Sequence, residues 1–119
     1  MQNFKEVPLL EITMGWVFLL LAGGLEVAFT TTLRMLIKAP NNIVLNVIFV
    51  VLVIASFGCL QQAVRSVPIG TGYAVWTGIG AVGTVIVGGL FFDESLSLIR
   101  LMLIGLVVVG VVGLRLIET

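Results

Sequence analysis

The chain has 119 residues, of which 60% are hydrophobic and only 10% charged, with six basic residues, six acidic residues and no histidine. Soluble domains carry about 25% charged residues, and a domain this small leaves much of its area exposed, so these values exclude an ordinary water-soluble fold. The missing histidines and the single cysteine, Cys59, exclude a Cys/His metal site and an internal disulfide, and the zero net charge argues against nucleic acid as a partner.

Four apolar runs of about 20 residues follow one another, and each is long enough to cross a bilayer as a helix. Short polar segments containing proline, asparagine or serine separate them. β-Barrel strands are excluded, because they are ~10-residue segments of alternating polarity. The sequence predicts an all-α integral membrane domain over 14–119, with four transmembrane helices per subunit at about 16–37, 43–64, 69–92 and 98–117.

The N-terminal segment, MQNFKEVPLLEIT, is too polar for the apolar core of a secretory signal. We expect residues 1–13 to form an extension that is either an interfacial helix or disordered. Met14 is an alternative to Met1 as the first residue, and the sequence leaves that choice open.

The first span carries a glutamate, Glu26, within the segment GGLEVAF near mid-depth. An ionisable group there costs at least ~2.5 kcal/mol, so we expect a functional side chain facing the bundle interior or a water-filled cavity. The alternative is a neutral glutamate that serves as packing by hydrogen-bonding a neighbouring helix. Low dielectric favours the neutral carboxyl group, so a proton and an organic cation compete for it, and that competition supports antiport.

The second span contains Ser56, which either orients Glu26 by hydrogen bonding or bonds the backbone of its own helix.

Nothing in the chain resembles a nucleotide-binding motif. We therefore expect a proton-driven transporter rather than an enzyme, with no catalytic residues, no cofactor and no metal.

The third span opens with GTGYAVWTGIGAVG, which is rich in glycine. Glycines let transmembrane helices approach closely, and they also weaken a helix locally, so close packing and a hinge are both open. Tyr73 and Trp76 share a helix face. Tyr73 is placed to bond a carboxylate or to join an interfacial aromatic belt, and Trp76 offers its ring face to a cation. The candidate hinge residues are Gly70, Gly72, Gly78 and Gly80.

The fourth span, LIGLVVVGVVGLRL, has no charge at mid-depth, so transport chemistry is not expected there. Its glycines allow a close helix partner, either within the subunit or in a second copy. They are Gly105, Gly110 and Gly113.

The basic residues are divided equally between the two sides of the membrane. Such a balance is typical either of a protein oriented by other means or of one that inserts in both directions. Copies inserted in opposite directions form an inverted pair with a binding site at the midplane. One side has Lys5, Arg65 and Arg115, and the other has Arg34, Lys38 and Arg100.

The combination of four short spans, LEV in the first and PIGTGYAVWTGIGAVG at the start of the third resembles the small multidrug resistance transporters, most closely their guanidinium-exporter subtype. The resemblance covers nearly all of 14–119. It implies an antiparallel dual-topology homodimer, or sometimes a heterodimer, in the bacterial inner membrane, exchanging protons for cations, with the fourth helix as the main dimer contact. Glu26 matches the essential carboxylate of the family, and the positions that line its substrate site are matched by Gly23, Ser56, Tyr73 and Trp76.

Two residues depart from the guanidinium-exporter pattern. Phe29 stands where that subtype commonly has tryptophan, which keeps an aromatic face at the substrate site but removes an N–H donor. Arg34 stands where lysine is common, and its guanidinium is fork-shaped. Candidate substrates are guanidinium, guanylurea-like and biguanide compounds and small quaternary ammoniums. Broad quaternary-ammonium efflux, and a non-transporting subunit of an obligate heterodimer, remain as alternatives.

Overall fold

The computed structural model describes residues 8–117, and in that part of the chain the regular structure is entirely helical. All four helices are long and apolar enough to cross a membrane, which confirms the predicted all-α class with four candidate spans. The helices are α1 (Leu9–Lys38), α2 (Ile43–Ala63), α3 (Ile69–Phe91) and α4 (Leu98–Ile117).

Helix α1 begins seven residues before the predicted start of the first span, whereas the other helix ends differ from the predicted bounds by at most one residue. Pro8 occupies the N-cap position, where its missing N–H costs nothing. Thr13 then donates to the Leu9 carbonyl at 3.0 Å, within the first turns. Of the predicted extension, residues 9–13 thus belong to the start of α1, Pro8 caps it, and 1–7 lie outside the described residues.

The connections between helices use the polar residues that the sequence places there. Asn42 caps α2 by accepting from the Leu45 N–H at 3.1 Å, and Asn46 Nδ2 donates to the Pro40 carbonyl, also at 3.1 Å. Ser97 Oγ lies 3.3 Å from the Arg100 amide nitrogen and caps α4. Such caps satisfy amides that a helix start leaves unpaired.

Helix α1 lies between α2 and α3, and α4 packs along the far side of α3. The core gathers where the first halves of α1 and α3 meet the end of α2, around Trp16, Leu19 and Ala22 of α1 and Val75 and Trp76 of α3. The molecule measures 49 × 36 × 18 Å. Since a helix with its side chains is about 10–12 Å wide, the subunit is a slab less than two helices thick.

The outer helices are held much less firmly than the inner pair. None of the described α4 residues is buried, and α2 buries only Ser56 and Ala63. Most of their surface is therefore left for lipid or for another protein chain.

Helix α4 contacts the rest of the subunit along one side only, through α3 and the Trp16 ring of α1. A β-carbon on Gly78 of α3 would come within 3.0 Å of Val111, so α4 approaches α3 there across bare backbone. Near its end, the Arg115 guanidinium lies 5.3 Å from the centre of the Trp16 ring.

Candidate functional site

Glu26 lies in the groove between α1 and α3. Its carboxylate contacts Gly80 of α3 so closely that a β-carbon on Gly80 would overlap it. One oxygen, Oε1, is buried and has no hydrogen-bond partner among the described residues. Buried polar atoms are normally paired, so this oxygen marks an acceptor that a proton or a cation can satisfy.

The groove is narrow because small residues lie where the two helices approach. A β-carbon on Gly23 would lie 2.7 Å from Ile79 Cβ, and one on Gly83 would overlap Val27. Gly23, predicted to line the substrate site, thus packs against α3 one turn from Glu26 in this subunit. The glycines let α1 and α3 approach closely, which is the close-packing alternative.

A chain of hydrogen bonds joins three helices one turn before Glu26. The Trp76 indole N–H donates to Ser56 Oγ at 3.0 Å, and Ser56 donates to the Ala22 carbonyl at 2.7 Å. Ala22 is four residues before Glu26, so this carbonyl is also the regular helical acceptor of the Glu26 amide. The expected hydrogen bond from Ser56 to Glu26 or to the backbone of its own helix is not observed. The hydroxyl group of Ser56 is instead bonded to the Trp76 indole and to the backbone of α1.

Aromatic rings surround this chain of hydrogen bonds. Trp76 meets Phe57 edge-on at 4.9 Å between ring centroids, and Tyr73 lies against Trp76 at 5.7 Å. Trp76 is buried, whereas Tyr73 is more than half exposed. Phe29 is turned toward α2, where its ring meets Phe49 edge-on at 6.0 Å. Phe29 is therefore placed beside the groove, with its ring against α2.

One turn beyond Glu26, a pair of hydroxyl groups bridges α1 and α3. Thr30 Oγ1 and Thr84 Oγ1 are 2.6 Å apart, and either can donate. They line a cavity of about 340 Å³ that extends toward the end of α1. Sequence reasoning missed this pair, although the position of Thr30, four residues after Glu26, puts it on the same helix face.

Arg34, on the next turn of that face, lines the outer part of the cavity. Its Nη1 donates to Glu94 Oε2, Nη2 lies 3.5 Å from the Phe92 carbonyl oxygen, and Cζ lies 4.6 Å from the centre of the Phe92 ring. Arg100 Nη2 is 3.7 Å from the other oxygen of Glu94. Glu94 thus pairs with both Arg34 and Arg100, and the sequence did not indicate the Arg34 contact.

The predicted hinge glycines lie within one continuous helix, and none of the described glycines has a positive φ. Side chains from neighbouring segments pack against Gly72, Gly78 and Gly80, whereas Gly70 has open space beside it. A hinge in α3 stays a prediction. The α4 glycines predicted for the dimer interface also have open space where a side chain would be. They are Gly105, Gly110 and Gly113.

Among the described residues, no group of three His, Cys, Asp or Glu side chains could hold a metal ion. The site offers instead one unpaired carboxylate oxygen in an apolar groove, hydroxyl groups one turn away and an ion pair at its mouth. Such an arrangement suits reversible binding of a proton or an organic cation.

Comparison with known proteins gives a family and relatives. Residues 14–107 match the Small Multidrug Resistance protein family. A guanidinium exporter of Citrobacter freundii is 44% identical over 103 residues, which cover 87% of this chain and 97% of that protein. Guanidinium exporters of Salmonella typhimurium and Yersinia pseudotuberculosis are 41% and 43% identical over 103 residues, covering 87% of this chain and 97% and 98% of the relatives.

Proposed function

We propose that this chain, which belongs to the small multidrug resistance family, exports guanidinium and related small planar cations across the bacterial inner membrane. The chain is a multi-pass membrane protein with four candidate spans, and the relatives named as guanidinium exporters align over most of its length.

The observation that carries this proposal is the unpaired Oε1 of Glu26 in the groove between α1 and α3. A guanidinium ion is planar and donates paired N–H groups, which match the two oxygens of a carboxylate. Gly80 has no side chain that would hold α3 away from this carboxylate.

Export is driven by protons, because Glu26 holds either a proton or a cation. A bare carboxylate at this depth is costly, so the empty ionised state changes sides poorly. A proton that binds from one side therefore displaces the cation to that same side, and the proton is released on the other side when the next cation binds. The coupling needs no cofactor and no chemical reaction.

The working unit is an antiparallel homodimer. A slab only 18 Å thick cannot enclose a substrate by itself, and a second copy would cover the groove. The open glycines and unburied apolar residues of α4 provide a surface on which such a copy can pack closely. The equal division of basic residues between the two sides agrees with insertion in both directions.

A panel of substrates tests the proposal. Purified protein in liposomes is given equal concentrations of guanidinium, guanylurea, a biguanide and tetraethylammonium, with a proton gradient imposed and then removed. Guanidinium-type cations should give the largest gradient-dependent uptake. Larger currents with tetraethylammonium would favour broad quaternary-ammonium efflux, and no substrate-dependent proton flux with any cation would favour a subunit that needs a different partner.

A further inference from the structure

Arg34 shows how this chain binds a guanidinium group, because its own side chain carries one. That group contacts the Glu94 carboxylate, the Phe92 carbonyl oxygen at 3.5 Å and the Phe92 ring at 4.6 Å. A carboxylate, a carbonyl acceptor and a ring face are the three partners that a free guanidinium ion prefers. The corner formed by Phe92 and Glu94 thus has the chemistry of a binding site for such an ion.

This corner is held in place without Arg34. The amides of Phe92 and Glu94 both donate to the Gly88 carbonyl, at 3.0 and 3.1 Å, and the Glu94 carboxylate lies against Gly88 itself. Between them Asp93 adopts a left-handed φ of 56°, which turns the chain back toward α1. Asp tolerates that conformation better than most residues. If Arg34 swings away, the carboxylate and the ring face therefore remain.

The corner lies two helical turns from Glu26 along α1. Glu26, Thr30 and Arg34 are spaced by four residues and share one face of α1. The cavity of about 340 Å³ connects Arg34 and Glu94 to Thr30 and Thr84. The Arg34 and Glu94 side chains are 38% and 29% exposed, so a cation in water can reach them.

We propose that the Phe92–Glu94 corner is a second site for guanidinium-type cations, at the mouth of the groove, and that Arg34 fills it until a substrate cation displaces it. The proposal rests on the export function proposed above and extends it to the route of entry. Arg34 is then an internal competitor that holds the mouth closed when no substrate is present. A cation that takes its place meets the threonine hydroxyls next and Glu26 after them.

Nuclear magnetic resonance of the arginine side chains tests the displacement directly. The protein used is the full chain with Glu26→Gln, so that the deeper carboxylate does not contribute. The Arg34 Nε–H signal, identified by its loss in Arg34→Lys, should shift saturably with guanidinium chloride at millimolar concentration. Tetramethylammonium chloride at the same ionic strength should not shift it, because that ion has no N–H donors.

The double variant Glu26→Gln with Glu94→Gln is the control. Its Arg34 signal should no longer respond saturably to guanidinium, since the carboxylate of the corner is gone. An unresponsive Arg34 in the single variant, or an equal response in the double variant, would overturn the proposal.

Transport kinetics give a second measurement that does not depend on the Glu94 variant folding. Arg34→Gln removes the internal competitor, so the KM for guanidinium should fall about fivefold, equal to about 1 kcal/mol, the order expected of a partly exposed ion pair. Arg34→Lys keeps the charge and should give a smaller change. A KM unchanged or raised in Arg34→Gln would count against competition at the mouth.

The two proposals fail in different ways. A wild-type protein that does not transport guanidinium would refute the export function, whatever the magnetic resonance shows. A protein that transports guanidinium while Arg34 ignores the ion would refute the mouth site alone.

Discussion

Glu26 and Glu94 are packed in the same way but paired differently. Each carboxylate lies against a glycine of α3, Gly80 for Glu26 and Gly88 for Glu94, and each position lacks room for a β-carbon. Glu94 has Arg34 and Arg100 beside it, whereas Glu26 has a buried oxygen without a hydrogen-bond partner in the described part of the chain. Packing against a glycine of α3 thus accommodates a paired carboxylate, Glu94, at the mouth of the groove and a carboxylate with an unpaired oxygen, Glu26, inside it.

The difference follows from depth. Near the membrane surface an arginine reaches Glu94 while its head group stays partly in water. At mid-depth a second fixed charge would neutralise Glu26 permanently, and no mobile cation or proton could then compete for it. The unpaired state is costly, and that cost makes the groove responsive to what enters it.

Neutralising each carboxylate gives the largest expected contrast. Glu26→Gln should reduce proton-driven guanidinium uptake to the level of empty liposomes, because glutamine neither binds a proton nor carries a charge. Glu94→Gln should keep coupled uptake at a reduced rate. Size-exclusion profiles of both variants check that assembly survives. Full coupled uptake by Glu26→Gln would remove Glu26 from the mechanism.

Adding a methyl group beside each carboxylate sharpens the comparison. Gly80→Ala should weaken guanidinium binding about tenfold, since overpacking costs roughly 1–3 kcal/mol and the Glu26 carboxylate already lies against Gly80. Gly88→Ala should have a smaller effect, because Glu94 is partly exposed and can turn aside. Gly70→Ala, with open space beside it, is the matched control. Binding titrations that rank Gly88→Ala above Gly80→Ala would contradict this account.

The hydrogen bonds behind Glu26 join α1, α2 and α3 through Ser56. Ser56→Ala leaves the buried Trp76 indole without its acceptor, so we expect a loss of about 1–3 kcal/mol in unfolding free energy. Thr31→Ala is the control, because that hydroxyl bonds only its own helix, at 2.7 Å to the Val27 carbonyl. Denaturation in detergent measures both. Equal stability losses in the two variants would show that the Trp76–Ser56 bond contributes little.

The smallest expected effect is at Phe29, beside the groove. Phe29→Trp adds an N–H donor and should change the uptake of guanidinium relative to tetraethylammonium by about threefold, equal to roughly 0.6 kcal/mol for one hydrogen bond. Competition assays measure this ratio of uptake. The matched control is Phe49→Trp, because the Phe49 ring contacts Phe29. Unchanged ratios across the panel would separate Phe29 from substrate choice.

The sequence alone was sufficient for the four-helix architecture of the subunit and for selecting Glu26 as a candidate site residue. Apolar length predicts the spans, and Pro, Asn and Ser at their borders predict where helices end, because these residues act through local backbone geometry. A carboxylate within an apolar run is also recognisable from sequence. The free-energy cost of placing it in the membrane depends on its depth, and its position along the span indicates that depth.

The partners of these residues were not predictable in the same way. Arg34 meets Glu94 across 60 residues of sequence, and Ser56 meets Ala22 across 34. Such pairs depend on how helices are rotated against each other, which periodicity does not specify in a nearly uniform apolar helix. Gly80 shows the same limit, since its sequence fits a hinge and a close contact equally well.

The unequal helix lengths connect this protein to the thickness of its membrane. Helix α1 has 30 residues and α4 has 20, or about 45 Å against about 30 Å. Both cannot stand upright in one hydrocarbon layer about 30 Å thick, so α1 tilts or protrudes. Arg34 lies near the end of α1 and Glu94 precedes α4, so shorter or longer lipid tails would pull on the contact between them. On the mouth-site proposal, the length of the lipid acyl chains would therefore influence how readily Arg34 leaves Glu94.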